Sequence, residues 1–179
     1  MASKTLLGLL MVLGCVSALG SHRAMKGTGQ LFNNMEKNRE IREYYESLER
    51  APGLSGPTNR TFSTRVDHFN GSNWDKWDMH YIIDEDNYNP ESGPILFYAG
   101  NEGGVWAFYN NSGFITKTLA KELGALVIFA EHRFYGESMP FGDQTFDKEN
   151  LRFIAVEQVM WDYIELLKEI RTTFPEQEN

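Results

Sequence analysis

Pro94-Ile95-Leu96-Phe97-Tyr98 and Ala125-Leu126-Val127-Ile128-Phe129-Ala130 are two short apolar runs, each entered from a glycine, Gly93 or Gly124. Neither run alternates apolar with polar residues, so each reads as a strand buried on both faces, as the strands of parallel sheets are. Between them Phe114, Thr118, Leu119 and Leu123 recur at helical spacing and predict a helix over 114–123. Strand, helix and strand in that order make a βαβ unit, in which a helix covers a parallel pair. The fold class that follows is α/β, with a mixed, mostly parallel sheet.

Working outward, Phe62–Phe69 and Trp77–Ile83 read as two strands joined through the turn formers Asn70-Gly71-Ser72-Asn73. Downstream, Val156, Met160, Tyr163, Leu167 and Ile170 recur every three or four residues while Glu157, Glu165 and Lys168 face elsewhere. That pattern predicts an amphipathic helix, which Pro175 ends. Upstream, Ala51-Pro52-Gly53-Leu54-Ser55-Gly56-Pro57 is too rich in Pro and Gly for a regular element to pass through. It sets the boundary between a core over 61–179 and a segment over 21–60. In that segment Leu31, Met35, Ile41, Tyr44, Tyr45 and Leu48 form a sparse, imperfect stripe, the pattern of a solvated helix or a partly ordered pro-segment.

Residues 1–20 differ again. Lys4 precedes the uncharged stretch Thr5–Val16, which is too short to span a bilayer, and the small residues Ser17, Ala18 and Gly20 follow. This is the pattern of a secretory signal peptide cut after Ala18 or Gly20. Val12-Leu13-Gly14-Cys15 offers a second reading, a lipoprotein cleavage box. Asn59-Arg60-Thr61, Asn70-Gly71-Ser72 and Asn110-Asn111-Ser112 match the N-glycosylation acceptor, so Asn59, Asn70 and Asn110 are candidate glycan sites. The formal net charge is −8, from 17 basic and 25 acidic residues. Such an acidic chain repels phosphate backbones and anionic lipid, which argues against nucleic-acid or membrane binding as its function. The single cysteine, Cys15, lies in the leader, so the predicted core can form no internal disulfide.

Ligands of α/β sheets bind outside the carboxyl ends of the strands, so the informative loops follow the two apolar runs. The first, Ala99-Gly100-Asn101-Glu102-Gly103-Gly104-Val105-Trp106, has glycines that let a backbone turn sharply and present N–H groups, either as a tight turn or as an oxyanion-binding loop. The second places Glu131, His132, Arg133 and Glu137 directly after a buried strand, where charge is costly unless paired. Glu131 with Arg133, or Glu137 with Arg133, would supply the pairing, and His132 reads as a hydrogen-bonded framework residue. Gly136-Glu137-Ser138-Met139-Pro140 lacks the last glycine of a nucleophile elbow, so Ser138 is rejected as a nucleophile. No metal-ligand spacing occurs.

These motifs resemble the family of prolyl (Pro-X) carboxypeptidase and dipeptidyl peptidase II. The resemblance runs from about Arg65 onward through Val66-Asp67-His68-Phe69, Gly93–Tyr98 with Gly100-Asn101-Glu102-Gly103, Asn110-Asn111-Ser112-Gly113-Phe114, Glu131–Ser138 and Glu157-Gln158. It implies the N-terminal part of an α/β-hydrolase fold and a lysosomal or secreted serine exopeptidase acting on peptides with proline near the scissile bond. It also implies acyl-enzyme chemistry without metal or cofactor, and a possible homodimer in the full-length protein. The family's nucleophile lies in a G-G-S-Y-G-G elbow beyond Asn179, with the aspartate and histidine later still, so the resemblance assigns no triad role within this chain. By analogy with the β3–αA loop of α/β-hydrolases, Glu102, Gly103 and Gly104 are the candidates for an oxyanion-hole N–H. Gly104 departs from the family, which usually has an acidic residue there. Asp143 after Pro140-Phe141-Gly142, and Pro175–Asn179, lean towards the carboxypeptidase, whereas Val105-Trp106-Ala107-Phe108 leans towards the dipeptidyl peptidase. A non-catalytic glycoprotein that binds peptides or a full-length relative is the alternative from another class.

Overall fold

The computed structural model describes residues 9–13, 27–47 and 55–174. The predicted cleavage region at 17–20, residues 51–54 of the boundary and Pro175 lie outside the described residues. In chain order the elements are β1 (Leu9–Leu13), α1 (Gly27–Ser47), β2 (Thr58–Arg65), β3 (Lys76–Asp84), β4 (Ile95–Ala99), α2 (Val105–Asn111), α3 (Ala120–Leu123), β5 (Leu126–Ala130) and α4 (Val156–Thr173). The five strands form one mixed sheet in the order β1-β4-β5-β3-β2. β1, β4 and β5 are parallel, β3 runs antiparallel to β5, and β2 and β3 form an antiparallel pair. The chain is therefore of the α/β class.

The two apolar runs form neighbouring parallel strands, as their composition predicts, and they divide their side chains between two cores. Ile95 and Phe97 with Leu126, Ile128 and Ala130 face α4, joining Met79, Tyr81, Ile83, Tyr163, Leu166 and Ile170. Leu96, Tyr98, Val127 and Phe129 face the other way, with Ile82, Val105, Trp106, Tyr109 and Ala120. This alternation is the period of two that strand geometry imposes, and covering helices keep both faces dry. The register pairs Ile95 with Leu126 and Ala99 with Ala130, so both strands end level. The loops that begin at Gly100 and Glu131 consequently leave the sheet side by side.

Several expectations shift. The first hairpin strand covers Thr58–Arg65 rather than 62–69, because Val66 already turns, its N–H donating to the Asp75 carbonyl at 2.9 Å. The helix predicted over 114–123 is wound as a π-helix from Phe114 to Leu119 before α3. The wider winding changes the phase, so Thr116 and Ala120 are buried while Phe114, at the head of the expected stripe, is 70% exposed. In α4 the buried face carries Gln158, Val159, Asp162, Tyr163, Leu166, Leu167 and Ile170, and Val156 is 71% exposed. Leu9–Leu13, within the segment read from sequence as a signal peptide, pairs in parallel with Ile95–Ala99, which does not test that reading. No helix among the described residues is long and apolar enough to cross a membrane.

Candidate functional site

The loop after β4 is tied down from below. The Tyr163 hydroxyl of α4 donates to the Gly100 carbonyl at 3.2 Å. Glu102 N–H donates to Asn101 Oδ1 and Gly103 N–H to the Asn101 carbonyl, both at 2.8 Å. Two of the three candidate oxyanion donors are thus spent inside the loop. Gly104 is buried, and its N–H has no hydrogen-bond acceptor among the described residues. The first N–H groups of α2 find acceptors from outside, although that of Ala107 is shared with the Gly104 carbonyl at 3.2 Å. Val105 N–H donates to Glu131 Oε1 at 2.8 Å, and Trp106 and Ala107 N–H donate to Asn38 Oδ1 of α1 at 2.9 and 3.3 Å.

In the loop after β5, Glu131 is almost fully buried and holds both loops together, taking Val105 N–H with one oxygen and Glu137 N–H with the other at 2.9 Å. Burial raises its pKa to about 7, against the pull of those N–H donors and of the Ser138 hydroxyl. Gly136 allows this approach. It sits at φ +60°, and a Cβ there would lie 1.9 Å from Glu131 Oε1. Phe134, fully buried, also has a positive φ of 70°, a conformation that a bulky residue adopts only when its surroundings impose it.

Arg133 turns to the other side of the sheet. Its Nε donates to Asp162 Oδ2 at 2.7 Å and Nη2 to Oδ1 at 2.8 Å, and its remaining donors reach the carbonyls of Val66, Phe153 and Arg65 at 2.9–3.1 Å. All five guanidinium N–H groups are satisfied. Asp162 also meets His68 Nε2 at 2.8 Å and accepts from the Thr64 hydroxyl at 3.3 Å. Glu137 takes a different cation, Arg42 of α1, whose Nη1 lies 2.6 and 2.7 Å from its two oxygens, with His80 Nδ1 at 3.5 Å. The His132 imidazole bonds through Nδ1 to the Arg133 carbonyl, and burial lowers its pKa. Ser138 is fully buried, and its Oγ accepts the His80 backbone N–H at 2.9 Å.

Residues 64–179 match the family described as serine carboxypeptidase S28. The chain belongs to this family. It is 44% identical over 119 residues to the lysosomal Pro-X carboxypeptidase of Pongo abelii and 43% identical over the same length to that of Homo sapiens, 66% of this chain and 24% of each relative. It is also 42% identical over 99 residues to prolyl carboxy peptidase like protein 5 of Caenorhabditis elegans, 55% of this chain and 19% of the relative. The chain therefore aligns with about a quarter or less of the length of these S28 relatives.

Within the S28 match Glu131 joins the two loops, taking Val105 N–H of one and Glu137 N–H of its own, while His132 and Arg133 turn away from that contact. The pairing of Arg133 expected from sequence is corrected. Its partner is Asp162, not Glu131 or Glu137, because α4 presents a buried carboxylate that matches the guanidinium in both planarity and charge. Sequence reading missed Asn38, Arg42, His80 and Asp162. A charge at 162, between the apolar positions 159 and 163, was a usable signal for the last, whereas nothing local marks the other three. Of the glycan candidates, Asn70 and Asn110 are exposed. Asn59 lies in β2 with Nδ2 3.2 Å from His80 Nδ1 and Oδ1 buried. Among the described residues no group of three His, Cys, Asp or Glu is placed to hold a metal.

Proposed function

We propose that this chain is the N-terminal part of a serine-type exopeptidase that hydrolyses peptide bonds next to proline in the manner of a Pro-X carboxypeptidase. A serine attacks the scissile carbonyl, backbone N–H groups hold the oxyanion, and water releases the acyl-enzyme. The serine, aspartate and histidine are contributed by residues beyond Asn179, on further strands of an α/β-hydrolase fold. In this reading the chain supplies the framework and one oxyanion donor.

The observation that carries the proposal is the Gly104 N–H. Gly104 is buried in the loop after a parallel strand, its N–H has no acceptor among the described residues, and the two N–H groups before it are committed to Asn101. A backbone N–H without a partner in a buried loop is rare, and this supports reading the loop by analogy with the β3–αA loop that supplies an oxyanion donor in α/β-hydrolases. The names of the relatives support Pro-X substrates and a lysosomal location. Exposed Asn70 and Asn110 are the better glycan acceptors, since the acceptor nitrogen of Asn59 is turned to His80.

The test is to treat the native protein with a fluorophosphonate serine-hydrolase probe and to sequence its transcript past Asn179. A labelled product well above 20.6 kDa, with an open frame into a G-G-S-Y-G-G segment, is expected. An unlabelled product of this size would instead leave a peptide-binding glycoprotein. Release of single residues after proline, rather than of dipeptides, separates carboxypeptidase from dipeptidyl peptidase specificity.

A further inference from the structure

α2 begins without a capping side chain of its own. Its N-cap residue is Gly104, at φ −71° and ψ 135°. This extended conformation is open to any L-residue and usual at that position, where Asn, Asp, Ser and Thr are preferred. The backbone therefore does not demand glycine. The neighbour does: a Cβ at 104 would lie 2.4, 2.5 and 2.8 Å from Cγ, Oδ1 and Nδ2 of Asn38. Asn38 is 1% exposed, and its Oδ1 accepts the N–H groups of Trp106 and Ala107, the second and third residues of α2. Those are the donors that an N-cap side chain at 104 would satisfy.

We propose that Asn38 is a positioning residue for the Gly100–Gly104 loop: it is the N-cap that α2 borrows from α1, and Gly104 is the gap that admits it. α1 thereby works as a clamp on the loop. That the clamped loop serves catalysis rests on the function proposed above, whereas the borrowed cap does not. The rest of the contact suits such a clamp. Ile41 and Tyr45 pack on the α2 core, Tyr45 stacking on Trp106 with ring centroids 5.4 Å apart. Tyr45 also meets the Tyr109 ring edge-on at 5.7 Å, polar ties run from Arg42 to Glu137 and from the Tyr45 hydroxyl to Asn110 Oδ1, and the buried indole Nε1 of Trp106 has no hydrogen-bond partner among the described residues. A buried cap that satisfies helix N–H groups is costly to remove, because the N–H groups are then left without an acceptor away from water. The segment that the sequence sets apart by its Pro/Gly boundary is then a working part of the site.

Amide hydrogen exchange on the full chain tests this. Asn38→Ala is expected to speed exchange at Trp106 roughly fivefold, the ratio that loss of a typical N-cap produces, and less at Ala107, whose N–H keeps the Gly104 carbonyl, with no change at Leu126–Ala130 in β5. Asn38→Asp, which keeps an acceptor oxygen, should retain protection. Gly104→Asn placed in the Asn38→Ala background should restore it, since α2 then caps itself. Gly104→Asn alone should keep α2 protected and speed exchange along α1, because the two side chains compete for one space. Unchanged exchange at 106 and 107 in Asn38→Ala, equal acceleration at 126–130, or failure of Gly104→Asn to rescue would each overturn the proposal. None of these readouts depends on a catalytic serine, so they stand apart from the probe-labelling result.

Discussion

Glu131 and Arg133 leave the end of β5 two residues apart, and both are buried, yet they are accommodated by opposite means. Arg133 faces α4, where Asp162 supplies a full counter-charge and three carbonyls take the remaining donors. Glu131 faces α2, where no cation among the described residues meets it and backbone N–H groups of Val105 and Glu137 with the Ser138 hydroxyl solvate it. A charge met by a buried counter-charge and by hydrogen bonds to every donor is held in place from all sides. A charge solvated only by dipoles stays close to titrating, as the pKa of about 7 for Glu131 records. The α4 side is thus a fixed anchor for the loop, and the α2 side is adjustable.

The largest effect is expected from breaking the anchor. Asp162→Ala leaves the Arg133 guanidinium buried without a counter-charge and removes the carboxylate that meets His68 Nε2, while the Thr64 hydroxyl keeps Glu165 Oε2 at 2.9 Å. Loss of one partner of a buried ion pair typically costs about 3–5 kcal/mol, to be read from the shift of the urea midpoint at pH 7. A shift below about 1 kcal/mol, the range of exposed pairs, would mean that water replaces the carboxylate and that the contrast between the two sides is false.

The adjustable side is tested by pH. Glu131 has a folded pKa raised from 4.5 to about 7. Its contribution to stability is therefore fully present below pH 4.5 and is lost as pH rises through 7, at most about 3 kcal/mol. His80 and His132 act in the opposite sense. Burial lowers both below the usual 6.5, so their contribution is present above that value and is lost as pH falls through the lowered one. In Glu131→Gln the gain on acidification from pH 7 to 4.5 should disappear while the histidine loss remains. Urea titrations of the two proteins across that range check this, and parallel curves would show that Glu131 does not titrate in the folded chain.

The same contrast explains what the sequence could convey. β4 and β5 are legible to within one residue because a continuous apolar run bounded by glycine has few other uses. α4 is legible as an element but not in phase, since Gln158 and Asp162 on its buried face look like surface residues until the groups they bind are known. The region over 114–123 misleads because π-winding breaks the 3.6-residue period that the reading assumes. In the loops the costly residues were recognisable, but their partners were not. Arg133 and Asp162 are 29 residues apart and Asn38 and Trp106 are 68 apart. No local periodicity encodes such contacts, and polar α1, with its weak stripe, gives no sign that Asn38 and Arg42 face inward.

The smallest effect is expected at the second tie of α1, between Arg42 and Glu137. Both side chains keep about a quarter of their surface in water, 24% and 26%, so solvent screens the pair and Arg42→Ala should cost about 1 kcal/mol or less. Stability alone would not separate a working clasp from a passive contact, but His80 does. Its pKa is lowered first by burial and further by Arg42, while Glu137 raises it. Removing Arg42 takes away one lowering influence and frees Glu137 to face His80 Nδ1, now 3.5 Å away. The His80 pKa should therefore move upward in Arg42→Ala, and an NMR titration of its imidazole reads this directly. As His80 gains charge it replaces the missing guanidinium, so the stability cost of Arg42→Ala should shrink on acidification. If the cost is the same at pH 5 and pH 8, Glu137 has no second cation, and the adjustable side of the loop is adjusted by Glu131 alone.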